Sequence, residues 1–268
     1  MSTAIAISGK GGSGKTTVAA MIVRHLVERG QGSVLAVDAD PNACLGLALG
    51  LVPETTIAEI REQTLERKLQ TGAGMDRERA FQYAIHRAVA ESRGFDLLTM
   101  GQPEGAKCYC AVNHLLREYL DSASQDYRWV VLDCEAGMEH LSRRTTDSIE
   151  HLLVVAEPTV VGRTTAHRIL GLSERLPISV GRRSVLWNKV AGTPPAADGL
   201  PVLGSVPYDE AVMEESQRGG TVFALPADCP ALRAVGDALA GLVPSAAPQA
   251  PGRAASEPRP KGAAPRRL

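Results

Sequence analysis

The sequence predicts a doubly wound, mostly parallel α/β sheet flanked by helices, and three observations predict it. Apolar runs at 3–8, 33–38, 95–100, 128–133, 151–156, 183–187 and 201–206 alternate with helical stretches, which requires crossover connections and hence parallel strands. The first run enters a glycine-rich loop that opens a helix. The residues able to do chemistry cluster just after strands, at the edge of an open α/β sheet where ligands collect.

Composition sets the outer limits. The chain has 268 residues, 44% of them hydrophobic, and a formal net charge of −1, enough for one large α/β domain but not two full ones. A pI near 6.6 gives no electrostatic footing for nucleic acid. No run of about 18 apolar residues is present to span a membrane. The first strand starts within a few residues of Met1, which leaves no place for a signal peptide and makes the cytoplasm the expected compartment. Five cysteines, an odd number, suit a reducing compartment where thiols serve metals or catalysis. The folded domain is expected over 1–243. Residues 244–268, rich in Pro, Ala and Arg, read as a disordered, mildly basic tail with too little apolar surface to order itself.

Ala4-Ile5-Ala6-Ile7 reads as the first strand and Val18 to Val23 as the helix that follows, with Ser8-Gly9-Lys10-Gly11-Gly12-Ser13-Gly14-Lys15-Thr16-Thr17 between them. Glycines at 9, 11, 12 and 14 permit positive φ and close approach. Successive N–H groups can then face phosphate oxygens while the helix N-terminus adds its partial positive charge. Lys15 is placed to reach the β- and γ-phosphates and Thr16 to ligate Mg²⁺, so Gly9 through Thr17 is expected to wrap the triphosphate of ATP. Lys10 is a second lysine, more than binding within one subunit needs; its plain reading is a solvated loop side chain.

The next buried strand, Ser33 to Val37, ends at Asp38-Ala39-Asp40-Pro41-Asn42. Carboxylates there either point into the ligand crevice or cap the next helix. From Thr55 to Ser92 the chain reads as helical, with Ile57, Ile60 and Leu65 on one face and, past a break at 71–74, Phe81, Ile85 and Val89 on another. No chemistry is expected there, and His86 reads as an ordinary surface or core histidine.

Phe95 to Met100 resumes as a strand, followed by Gly101-Gln102-Pro103-Glu104-Gly105-Ala106-Lys107-Cys108-Tyr109-Cys110 and a helix from about Val112 to Leu120. In extended backbone, thiolates at Cys108 and Cys110 project to one side and touch one metal ion, with a helix N-terminus and Lys107 lowering their pKa. Two sulfurs do not complete a tetrahedral centre; a two-fold dimer supplies the other two. Incidental helix-capping cysteines are the alternative. Cys44, Cys134 and Cys229 are expected to be small buried side chains.

Arg128 to Asp133 is a strand ending where a Walker B aspartate holds Mg²⁺ through water. Gly137, four residues on, suits a loop whose N–H meets the γ-phosphate. Glu139 and His140 are expected in nucleotide sensing and dimer contacts rather than as metal ligands. A strand at 151–156 ends at Glu157-Pro158-Thr159, a helix is expected from Arg163 to Leu176, and Arg183 to Trp187 leads to Asn188, which could also be a turn residue. Leu200 to Asp209 gives a last strand and a loop containing Pro207, and Asp228 to Leu242 a final amphipathic helix.

The pattern Gly-Lys-Gly-Gly-x-Gly-Lys-Thr-Thr at 9–17 resembles the deviant Walker A loop of the family that includes septum-site and partition ATPases, the nitrogenase iron protein and metallocentre-maturation ATPases. The resemblance implies that Lys10 reaches the nucleotide of a partner subunit and that ATP joins two subunits into a homodimer. It makes 38–42 the first switch, with Asp40 orienting the attacking water and Asp38 near the Mg²⁺ shell. It also gives Asn188 the adenine edge, accepting from the exocyclic amine and donating to a ring nitrogen, with the Pro207 loop closing over the base.

Two further stretches, Pro-Glu-Gly-x-x-Cys-Tyr-Cys-x-x-Asn at 103–113 and Glu-Ala-Gly-Met-Glu-His-Leu at 135–141, resemble the CooC-type nickel-insertion ATPases that mature carbon monoxide dehydrogenase and the related factor for acetyl-CoA synthase. Carried over, Cys108 and Cys110 bind Ni²⁺ or Zn²⁺ between subunits, for insertion into an apo-metalloenzyme client. A partition or septum ATPase would add a basic face or a C-terminal amphipathic membrane helix. An iron–sulfur reductase would use two well-separated cysteines, one soon after the switch II glycine. This sequence matches neither, and a regulatory ATPase with incidental cysteines is the third alternative.

Overall fold

Continuous apolar runs in the central strands bury both faces of one sheet. The computed structural model describes residues 2–63, 85, 87–102, 108–123, 126–135, 148–176 and 178–242. Its strands are β1 (Thr3–Gly9), β2 (Val34–Ala39), β3 (Ala90–Glu91), β4 (Asp96–Thr99), β5 (Trp129–Cys134), β6 (Ser148–Ala156), β7 (Ser179–Val190) and β8 (Val202–Pro207). They form a sheet in the order β3-β4-β2-β5-β1-β6-β7-β8. Every pairing is parallel except β3 against β4.

The helices are α1 (Lys15–Glu28), α2 (Leu45–Leu49), α3 (57–63), α4 (Cys108–Ala123), α5 (Val160–Ser173), α6 (Glu210–Gln217) and α7 (Pro230–Ala240). They divide between the two faces. Ile5, Ile7, Ala36 and Val131 pack with α1, α2 and α7 through Val18, Ile22, Leu45 and Val235. Ala6, Val37, Val130 and Leu132 point the other way, to Ile57 of α3, Val112 and Leu116 of α4 and Ala166 and Ile169 of α5. This is the doubly wound arrangement, with strands apolar on both sides because both sides are covered.

β1 is the switch point. It lies between β5 and β6, and the chain builds the sheet outward from it in both directions. The crevice of such a fold opens at the strand C-termini on either side of that strand, where β1, β2, β5, β6 and β7 deliver Gly9, Asp38, Asp133, Glu157 and Asn188. The helical reading of 55–92 fails at its end, where Ala90–Glu91 forms a short antiparallel edge strand; His86 and 64–84 lie outside the described residues, as do Gly137, Glu139, His140 and the proposed tail. Among the described residues, no helix is long and apolar enough to cross a membrane.

Candidate nucleotide site

The loop leaves the sheet under tight steric control. Gly9 is the register partner of Val155 on β6, and a Cβ at Gly9 would stand 2.2 Å from the Val155 carbonyl oxygen. Gly14 ends the loop as the N-cap of α1 at φ 90°, where an added Cβ would meet Asn188 Nδ2 at 2.3 Å. Both positions therefore require glycine. Between them Ser13 N–H closes the turn on the Lys10 carbonyl at 3.1 Å.

The N-terminus of α1 has no side-chain cap and no acidic residue in its first turn, so its N–H groups and partial positive charge remain available to an anion. Lys15 is 7% exposed, and among the described residues its ammonium makes one long bond, 3.5 Å, to the Lys10 carbonyl. A nearly buried cation so weakly satisfied is prepared for a negative ligand. Lys10, Gly11 and Gly12 are exposed, whereas Ser13 is buried and Thr16 and Thr17 half-buried at the start of α1.

Facing Thr16 is an acidic pair. Asp38 and Asp133 are register partners on β2 and β5, both at 0% exposure. Asp38 Oδ2 accepts from the Leu45 N–H at 2.7 Å and Oδ1 from the Asp40 N–H at 3.3 Å. It thus caps α2 while standing at the crevice, and the two readings left open by the sequence coincide. Among the described residues neither oxygen of Asp133 meets a donor in full hydrogen-bond geometry; the Thr16 hydroxyl and the Lys15 charge stand near enough to lower its pKa. Burial is the main cause pushing Asp133 up to about 6 and Asp38 up to about 7, the latter raised further by the charges of Asp133 and Asp40. Two buried carboxylates beside a threonine hydroxyl form a hard-oxygen donor set, and an orphaned carboxylate among them fits a divalent cation such as Mg²⁺.

Asp40 is half-buried and commits Oδ1 to Asn42, accepting from its backbone N–H at 2.9 Å and from Nδ2 at 2.8 Å. This tight turn continues through Ala43 at φ 49° and carries Cys44 outward. Cys44 is therefore exposed, contrary to the expectation of burial, whereas Cys134 and Cys229 are buried.

Asn188 lies within β7, which runs on to Val190, so the turn reading does not hold. Its Nδ2 donates to the Ser13 carbonyl at 2.8 Å, leaving Oδ1 as its acceptor. Asn188 shares an open pocket with Gly14, Thr17, Pro207, Tyr208 and Met213. A wider opening, lined in part by Thr16, Thr17, Cys44 and Leu47, adjoins it across Val212 and Ser216 of α6. Asp209 anchors this wall by capping two helices, accepting from Ala211 N–H at 3.0 Å and Ala231 N–H at 3.1 Å.

Sequence reasoning missed Lys189, whose ammonium donates to the Gly12 carbonyl at 2.6 Å and pairs with Glu157 at 2.9 Å. The available signal was a cation directly after the candidate base-reading amide, opposite an acid at the end of the neighbouring strand.

Cys108 and Cys110 open α4, so their backbone is helical and not extended. Among the described residues no group of three or more His, Cys, Asp or Glu is placed to hold a metal.

A glycine-constrained loop, a free helix N-terminus, a poorly satisfied lysine and a buried acidic pair define a P-loop nucleotide-binding site. Residues 4–222 match the CobQ/CobB/MinD/ParA nucleotide binding domain, and the chain belongs to that family. It is 37% identical to an uncharacterized ATP-binding protein of Methanocaldococcus jannaschii, covering 83% of this chain and 91% of that one. It is 32% identical to the carbon monoxide dehydrogenase accessory protein CooC of Rhodospirillum rubrum, covering 84% and 91%. The septum site-determining protein MinD of Pyrococcus horikoshii, solved with Mg-ADP, shares the fold at TM-score 0.65 and 23% identity, covering 89% of this chain and 94% of that one.

Proposed function

We propose that this chain is an ATP-hydrolysing metallochaperone that acts as a homodimer, binds nickel or zinc as cargo at Cys108 and Cys110, and delivers it to an apo-metalloenzyme such as carbon monoxide dehydrogenase or acetyl-CoA synthase. The observation that carries the ATPase part is the Asp133 carboxylate, buried and unpaired beside Thr16 and Lys15.

Thr16 would hold Mg²⁺, with Asp133 and Asp38 around its water shell, and the ion would neutralise charge on the phosphate oxygens. Lys15 and the first-turn N–H groups of α1 bind the β- and γ-phosphates; Asp40 orients the attacking water; Gly137 meets the γ-phosphate. Lys10 adds a second positive charge from the partner subunit. Asn188 and Pro207 hold the base.

The metal part is supported by the two cysteines in the Pro103–Asn113 motif and by the similarity to the carbon monoxide dehydrogenase accessory protein. The ligand set accepts nickel and zinc alike. Family membership also accommodates a septum- or partition-type switch ATPase.

Metal content and mass of anaerobically purified protein separate these readings. Wild type is compared with Cys108→Ala/Cys110→Ala, with ADP, with a non-hydrolysable ATP analogue and without nucleotide. One divalent ion per dimer, absent from the double variant, is the expected result. Metal-free protein that still dimerises with nucleotide would reduce the function to a switch ATPase, and an iron–sulfur absorption band would favour a reductase.

A further inference from the structure

β7 presents Asn188 and Lys189 in succession, and they hold successive carbonyls of the phosphate loop from behind. Asn188 Nδ2 donates to the Ser13 carbonyl at 2.8 Å and Lys189 Nζ to the Gly12 carbonyl at 2.6 Å. The same ammonium pairs with Glu157 Oε1 at 2.9 Å, and Glu157 shares a pocket wall with Gly9, Lys10, Gly11 and Ser13.

A Cβ added at Gly11 or Gly12 would find no atom within 4 Å, so the loop is open on that side, and the hydrogen bonds to its carbonyls are what orient its peptide planes. Across a trans peptide the carbonyl and the following N–H point in opposite directions. Holding the Gly12 carbonyl toward Lys189 therefore directs Ser13 N–H back to close the turn on Lys10, and holding the Ser13 carbonyl toward Asn188 directs Gly14 N–H the other way. Lys189 sits at φ 56°, where a lysine is found only when its surroundings over-determine it. The register of β7 on β8 shifts between Trp187 and Val190, around this residue.

We propose that Lys189, tied to Glu157, is a positioning residue of the nucleotide site: it sets the Gly12–Ser13 peptide plane and so preorganises the phosphate loop, beside Asn188, which sets the next plane. This rests on the reading of Gly9–Thr17 as the triphosphate site. A loop ordered before binding loses less entropy when the ligand arrives. The clamp acts on phosphate binding whatever base is attached.

The test is calorimetric titration of the full chain with Mg-ATP and with magnesium tripolyphosphate, together with steady-state hydrolysis. Lys189→Gln is expected to weaken both ligands by on the order of tenfold, raising KM for ATP while kcat holds within about twofold. Lys189→Arg, which can donate to both partners, recovers most of the affinity. Glu157→Gln weakens binding less and adds nothing in the double variant. Lys189→Gly relieves the left-handed backbone but lacks the ammonium; it is expected to bind as poorly as Lys189→Gln with no loss of thermal stability. Unchanged affinity in Lys189→Gln, or loss for Mg-ATP but not tripolyphosphate, would overturn the clamp and, in the second case, make Lys189 a base contact. Wild type that binds neither ligand would overturn the nucleotide reading itself, and the clamp with it.

Discussion

A buried carboxylate with no full hydrogen bond among the described residues opposes folding, and Asp133 does so in the absence of a divalent cation, since Lys15 offsets its desolvation only in part. Asparagine keeps its shape and removes the charge. Asp133→Asn is therefore expected to stabilise the nucleotide-free protein by about 1–3 kcal/mol in urea unfolding and to lower Mg²⁺-dependent hydrolysis roughly 10- to 100-fold. A variant less stable than wild type without nucleotide would contradict this account. Asp133 was legible in the sequence because an apolar run ending in an acid has few meanings in this fold class. Lys189 was not, because its two partners lie 32 and 177 residues away in sequence. The exposure of Cys44 was hidden by a local event, the Asp40–Asn42 turn and the positive φ of Ala43, that composition does not encode.

Among the elements, the strands were legible to within a residue or two wherever both faces are buried, as in β2 and β5, because such strands are continuous apolar runs. β7 begins earlier than predicted, as its first residues, Ser179–Arg183, are largely exposed and polar and carry no period. The contact between α1 and α7 was invisible for another reason: it depends on a residue being small. A Cβ at Gly236 would stand 2.7 Å from His25 Cε1 and Nδ1, so Gly236→Ala is expected to cost about 1–3 kcal/mol, relieved in Gly236→Ala/His25→Ala. The same crossing gives a pH signature. Burial, then Arg29, lowers the His25 pKa against the opposing pull of Glu28 and Asp237. The folded state thus binds protons less readily than the unfolded chain; the contribution of His25 is intact above about pH 6.5 and declines as pH falls below it. Unfolding free energies of wild type and His25→Gln should therefore converge, or cross in favour of the variant, between pH 7.5 and 5. A difference that is constant with pH would remove His25 from the account.

At the scale of the whole molecule, the chain builds most of a nucleotide site and leaves the Lys10 charge outside it. Lys15 is buried within the loop whereas Lys10 is exposed at its tip; the loop's own closure uses the carbonyl of Lys10 and not its ammonium. Deleting the Lys10 side chain should therefore leave the phosphate cradle of a single subunit standing. If Lys10 serves the partner's nucleotide, Lys10→Ala affects only what two subunits do together. Nucleotide affinity measured at concentrations where the chain is monomeric is expected to stay within about threefold of wild type, a change of under 1 kcal/mol. The dimer formed with a non-hydrolysable ATP analogue, followed by light scattering across a concentration series, is expected to be lost, and turnover to fall at least tenfold. Lys15→Ala behaves differently, since it removes the buried cation, and should abolish nucleotide binding at every concentration. A Lys10→Ala protein that dimerises like wild type would return Lys10 to the solvated side chain of its plainest reading. One that loses monomer affinity as Lys15→Ala does would place its ammonium in the subunit's own site.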